Sequence, residues 1–111
     1  MTSTPISIRQ ITALELKAML DSGTPFEFWD VRTVAERNIA IIPGAKLLDS
    51  EAVEQIEALD RGTLLVFHCH HGIRSQNAAL HFLSMGFNNL CNLAGGIEAW
   101  SEDVDPKVAR Y

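Results

Sequence analysis

Apolar residues follow two rhythms that alternate along the chain. Ile6-Ser7-Ile8 alternates at period two, which predicts a short edge strand. Thr12-Ala13-Leu14-Glu15 is a capping box, in which the threonine and the glutamate three residues on satisfy each other's backbone amides. Leu14, Leu16, Ala18, Met19 and Leu20 carry that helix on to Asp21-Ser22-Gly23. Phe26 to Val31 reads as a second strand, and Thr33-Val34-Ala35-Glu36 repeats the capping box to open a short helix. Turn signals at Ile41-Ile42-Pro43-Gly44-Ala45 precede a brief strand at Lys46-Leu47-Leu48. Asp49 or Ser50 caps a helix from Glu51 to Leu59 that turns Val53, Ile56 and Leu59 inward. After the Arg61-Gly62 turn, Leu64-Leu65-Val66-Phe67-His68-Cys69 predicts a strand buried on both faces. Beyond Ser75, apolar residues at Ala78, Ala79, Phe82, Leu83 and Met85 trace one face of a helix that closes at Gly86. Asn88 to Leu93 makes a last strand. Ala94-Gly95-Gly96 then turns into a helix holding Ile97, Ala99 and Trp100, and a polar tail ends at Tyr111.

This alternation predicts an α/β fold, with a central, mostly parallel five-stranded sheet and helices on both faces. The 111 residues read as a single domain, 1–111, without repeats, low-complexity runs or a linker. In such sheets ligands bind beyond the carboxyl ends of the strands. Asp30 and Cys69 both sit at that end. A formal net charge of −5 argues against nucleic acid as a partner. No stretch reaches the length of a membrane span, and Met1-Thr2-Ser3-Thr4-Pro5 lacks the features of a signal peptide. Two cysteines fit a reducing compartment better than a disulfide scaffold, so the expected location is the cytosol.

Cys69 stands where the central strand gives way to a helix, followed by His70-His71-Gly72-Ile73-Arg74-Ser75. The first amides of a helix lack intrahelical partners, and the helix dipole adds positive charge there. A loop that turns its N–H groups inward makes a nest for an anion, and Gly72 supplies the backbone freedom for that curl. A thiolate in such a nest is favoured over the thiol, the condition for a nucleophilic cysteine. The idea has two requirements: amides aimed at the sulfur, and a sulfur that substrate can reach. The competing reading is a buried structural cysteine.

The neighbours carry their own alternatives. Arg74 either clamps an anionic ligand or pairs with Asp30 or Glu36. Asp30, Arg32 and Glu36 read as supports of the second strand, with Arg32 the best placed of them to touch an anionic ligand. His68 belongs to the strand and reads as a satisfied core histidine. His70 and His71 tune the thiolate, contact the donor or are solvated. Consecutive histidines cannot all point at one ion and no second ligand pair has zinc-like spacing, so neither a metal nor another cofactor is expected. Cys91 lies in an apolar strand and reads as core.

With these residues assembled, the sequence resembles the rhodanese-homology family in its small, single-domain form. The resemblance rests on four pieces in order: Asp30-Val31-Arg32 with Glu36, Pro43-Gly44-Ala45, Cys69 to Ser75, and Gly95-Gly96-Ile97-Glu98-Ala99-Trp100. It implies a sulfurtransferase in which Cys69 takes a sulfane sulfur from a donor such as thiosulfate or a persulfide and passes it to a thiophilic acceptor. Residues His70, His71, Gly72, Ile73, Arg74 and Ser75, with Arg32, are then the substrate-binding set, and Asp30 and Glu36 support them. A sulfur-relay protein is an implied acceptor, and Cys91 gains a second reading as a resolving thiol. Four residues separate Cys69 from Arg74, where cysteine phosphatases of similar fold place five. Two positions depart from the family pattern: Ala40-Ile41 stands where Gly-His is common, and His70 where thiosulfate-using members often carry arginine. A histidine is only partly charged near neutral pH, which makes thiosulfate a poorer donor. The reading from another class is a non-catalytic rhodanese-like module that docks a partner.

Overall fold

Ten elements alternate along residues 7–111, the part of the chain described by this computed structural model. They are β1 (Arg9–Ile11), α1 (Ala13–Asp21), β2 (Glu27–Asp30), α2 (Val34–Ile39), β3 (Lys46–Leu47), α3 (Ser50–Glu57), β4 (Leu65–His68), α4 (Ile73–Ser84), β5 (Leu90–Leu93) and α5 (Gly96–Asp103). The strands form one sheet in the order β1-β5-β4-β2-β3, and every adjacent pair is parallel. β4 is central, flanked by β2 through Asp30 opposite His68 and by β5 through Val66 opposite Cys91.

Side chains alternate across the strands and so divide the core in two. Phe28, Val66, Cys91 and Leu93 face α1 and α5, where Leu16, Ile97 and Trp100 close the packing. Trp29, Leu65, Phe67 and Leu90 face α3 and α4, where Ile56, Ala79 and Phe82 close it. All four residues of β4 are buried, as expected of a parallel strand covered on both sides. Val53 and Leu59 pack at the margin of the second cluster, and Ile56 is fully buried.

Both capping boxes form: Thr12 with Glu15, and Thr33 with Glu36. Asp49 caps α3, accepting the Ala52 amide at 2.8 Å. The expected first strand shifts. Ser7 and Ile8 lie outside any strand, Ile6 lies outside the described residues, and β1 is Arg9–Ile11. The register follows from burial, because Ile11 is the residue that enters the core, opposite Leu93. α4 also starts earlier than the apolar spacing implied, at Ile73, so Arg74 and Ser75 belong to its first turn.

Candidate active site

Cys69 follows β4 directly, and the chain curls through His70 and His71 to Gly72, which takes a left-handed φ of 100° before α4 begins. Only glycine serves there. A Cβ on Gly72 would lie 2.3 Å from the Ala94 carbonyl oxygen. The curl aims donors at the sulfur: the Gly72 amide donates to Cys69 Sγ at 3.1 Å, the Ser75 amide at 3.4 Å and the Ser75 hydroxyl at 3.3 Å. α4 has no side-chain cap of the ordinary kind. Sγ takes that place, accepting from the third helical residue as a capping Ser or Asp would. This explains why the start of α4 was hard to read in the sequence.

The carbonyls of the curl are turned the other way by α5. The Ile97 amide donates to the Cys69 oxygen at 2.9 Å and the Glu98 amide to the His70 oxygen at 3.2 Å. Gly96 permits that contact with φ 61°, since a Cβ there would lie 2.2 Å from the His70 oxygen. Thus one helix start engages the loop's acceptors while the other leaves its donors for the sulfur. Burial alone would push the Cys69 thiol up. The Ser75 hydroxyl and the amides of Ser75, Gly72 and His71 outweigh it and hold the thiol below its usual range.

The Ser75 hydroxyl has one proton and two acceptors within reach. It lies 2.5 Å from Asn92 Oδ1 as well as 3.3 Å from the sulfur. The amide of Asn92 is oriented by its own donations, to the Gly72 oxygen at 3.0 Å and Gln10 Oε1 at 2.9 Å. The Ser75 proton can serve only one of these acceptors at a time.

Around the mouth, cations and carboxylates are matched. Arg74 makes a bidentate pair with Glu36 at 2.6 and 2.9 Å, which holds the Glu36 carboxyl well below the usual carboxylate range. Asp30 is fully buried and pairs with Arg32 at 2.7 Å and with Arg37 at 2.9 Å. Burial alone would raise its pKa, yet the donating Arg32 guanidinium holds Asp30 below its usual value. Arg32 uses all five of its N–H groups, on both Asp30 oxygens, the Ala40 and Glu36 carbonyls and the Tyr111 hydroxyl. With nothing displaced, every one of its N–H groups is engaged within the protein.

His68 is fully buried, but only one ring nitrogen is engaged, with Nδ1 3.4 Å from the Cys69 oxygen. Nε2 has no hydrogen-bond partner among the described residues, so the ring is not the fully satisfied core histidine expected. Burial, aided by Arg32 and Arg37, depresses its pKa to about 4 and keeps it neutral. His70 is sandwiched between His71 and Tyr111, with ring centroids 3.9 and 4.0 Å apart. His70, His71 and Glu98 bring ligand atoms within 4.8 Å of one another. The histidine rings stack nearly parallel, 20° apart, so their lone pairs do not converge on one ion, and Glu98 is already paired with Arg110. Ile73 projects outward, 74 % exposed. Cys91 packs in the first core cluster, and burial pushes its thiol up.

The structure therefore brings Cys69, His70, His71, Gly72, Ser75 and Arg74 with Glu36 to one end of the sheet, and sets Asp30 and Arg32 beneath them. Arg37, Asn92, Glu98 and Tyr111 join them without having been foreseen. Arg37 had a signal, lying four residues past Thr33 on a helix that begins beside Asp30. Glu98 lies within the Gly95 to Trp100 stretch quoted above but carried no sign of its partners there, and Asn92 and Tyr111 arrive from β5 and the segment after α5 with no local motif to mark them.

Comparison with known proteins gives a consistent result. The model of the family described as the Rhodanese-like domain matches residues 12–103. The chain is 34% identical over 104 residues to a probable adenylyltransferase/sulfurtransferase, MoeZ, of Mycobacterium tuberculosis, covering 91% of this chain and 26% of that protein. It thus spans about a quarter of that relative's length. It is 30% identical over 95 residues to the thiosulfate sulfurtransferase GlpE of Pseudomonas aeruginosa, covering 85% of this chain and 84% of that one. A crystal structure of a rhodanese-like domain protein from Staphylococcus aureus superposes with a TM-score of 0.73 at 27% identity, covering 94% of this chain and 99% of that one.

Proposed function

Because the chain belongs to the rhodanese-like domain family, we propose that it is a sulfurtransferase that carries sulfane sulfur as a persulfide on Cys69. The observation that supports this most is the convergence of amide and hydroxyl donors on Cys69 Sγ. The thiolate they favour attacks the outer sulfur of a donor. With thiosulfate, a bond forms between Sγ and that sulfur, the bond to the SO₃ group breaks, and sulfite leaves with the electron pair. The outer persulfide sulfur is anionic, and the same nest stabilises it. A thiophilic acceptor such as cyanide then takes that sulfur, and Cys69 leaves as the thiolate.

In this reading His70 to Ser75 form the cradle, and Arg74 with Glu36 sets its rim. Four arginines at the mouth (Arg32, Arg37, Arg74 and Arg110) are each paired with a carboxylate. A small dianion finds no unpaired guanidinium there, which favours a persulfide donor over thiosulfate. A protein in a sulfur relay is the fitting acceptor. Among the described residues no helix is long and apolar enough to cross a membrane. We place the protein in the cytosol, where two free thiols persist.

The test is to incubate the protein with thiosulfate, mercaptopyruvate or a low-molecular-weight persulfide and measure its intact mass. A gain of one sulfur atom is expected, absent in Cys69→Ser. No gain with any donor overturns the reading and leaves a rhodanese-like module that docks a partner.

A further inference from the structure

Cys69 is 1 % exposed, so no donor reaches its sulfur in the arrangement described above. Some part of the mouth must move, and most of it is fastened. The curl from His70 to Gly72 is bonded to α5 and wedged against Ala94. Asp30 and Arg32 are buried at the sheet end. Tyr111 differs. It lies at the far end of the segment that leaves α5, 38 % exposed, and that segment is anchored upstream of it. Ser101 Oγ donates to the Val108 oxygen at 2.6 Å, Val104 and Val108 pack on the first core cluster, and Arg110 pairs with Glu98 and Glu102.

The hold of Tyr111 on the mouth is small. One ring face lies on His70 with centroids 4.0 Å apart, and the hydroxyl donates to Glu36 Oε2 at 2.7 Å and accepts from Arg32 Nη1 at 3.0 Å. Contacts of this kind on an exposed side chain open by local fluctuation while the fold stays intact. The hydroxyl therefore bridges two of the carboxylate–arginine pairs, Arg32–Asp30 and Arg74–Glu36, and the ring covers the residue that follows the cysteine.

We infer that Tyr111 is a specificity-determining residue of this site: it stands across the approach to Cys69, and its displacement sets the size of donor or acceptor admitted. Swinging away also releases the Arg32 Nη1 hydrogen, the one that a ligand can inherit without disturbing Asp30 or a carbonyl. The opened site then offers an anionic donor a guanidinium contact that the closed site withholds. The assignment rests on Cys69 being the reactive thiol, but not on which group it transfers.

Alkylation tests it without any sulfur donor. The rates at which Cys69 reacts with iodoacetamide, a small reagent, and with fluorescein maleimide, a bulky one, are measured by peptide mass mapping that counts Cys91 separately. In Tyr111→Ala the bulky-to-small rate ratio is expected to rise at least about ten-fold over the native protein. Tyr111→Phe keeps the ring and loses the hydroxyl, and is expected to fall between the two. Thermal melts of all three proteins check that the fold is unchanged. An unchanged ratio in Tyr111→Ala overturns the assignment. A protein that alkylates as expected yet takes up no sulfur would instead overturn the sulfurtransferase reading alone.

Discussion

Cys69 Sγ closes the open amides at the start of α4, and in the function proposed above the same atom is the one that reacts. The helix start is therefore most stable when the sulfur is charged, and the reactive state coincides with the structurally preferred one. Ser75 sharpens this coupling, because its hydroxyl proton chooses between Asn92 and the sulfur. A hydrogen bond to a charged group contributes about 1.5–3 kcal/mol, less here for the Asn92 bond given up. Ser75→Ala is expected to shift the Cys69 thiol upward and slow its alkylation at pH 7 by roughly 3- to 10-fold. The pH dependence of iodoacetamide reactivity measures it, and an unmoved profile would show that the amides suffice alone. The sequence made the turn at Cys69 and Gly72 legible, because a glycine loop after a buried strand leaves few other arrangements, and it offered Glu36 as only one of the readings for Arg74. Asn92 and Tyr111 were not legible. Each reaches its partner across the sheet or from the tail, 17 residues from Ser75 and 75 residues from Glu36, where periodicity carries no information.

At the scale of elements, the site depends on two helix starts with opposite duties. α4 offers its amides to the sulfur, and α5 binds the carbonyls that would otherwise compete for the inside of the curl. Gly96 is where they meet, and it tolerates no side chain. An added Cβ would strike the oxygens of both His70 and Cys69, and the φ of 61° disfavours any L-residue. Gly96→Ala is expected to cost at least about 2 kcal/mol, a melting temperature lower by roughly 8 °C or more. It should also slow Cys69 alkylation, since the carbonyls come loose. A melting temperature within 2 °C of native, roughly the size of a neutral surface change, would show that the two starts are not coupled. The helices that open on a Thr-x-x-Glu box were legible because the cap lies within four residues of sequence. α4 was placed late because its cap is a side chain outside the helix, and β1 was placed early because burial of Ile11, not alternation, sets its register.

The whole molecule feels the site through its stability. His68 lies at the centre of the sheet with its pKa at about 4, against about 6.5 for a free histidine. The unfolded chain takes up that proton first. The stability due to the neutral ring is fully present above pH 6.5, is lost as pH falls toward 4, and changes no further below that. By pH 5 the loss is about 2 kcal/mol. The denaturant midpoint is expected to fall between pH 7 and pH 5, and to fall less in His68→Leu. Equal slopes in the two proteins would assign the acid sensitivity elsewhere. The parallel sheet and its two-sided cover were legible from the alternation of elements, whereas this proton linkage was not, because it depends on how deeply the ring is buried and on the arginines the folded sheet brings near it. The same sheet also settles how the two thiols relate. Val66 faces Cys91 across the β4–β5 ladder, and Cys69 lies three residues further on, about 10 Å away at ~3.3 Å per residue. Bridging would need Cα atoms within about 7 Å. If peroxide converts Cys69 to a sulfenic acid, the native fold has no internal means of repair, and recovery falls to a reductant supplied from outside.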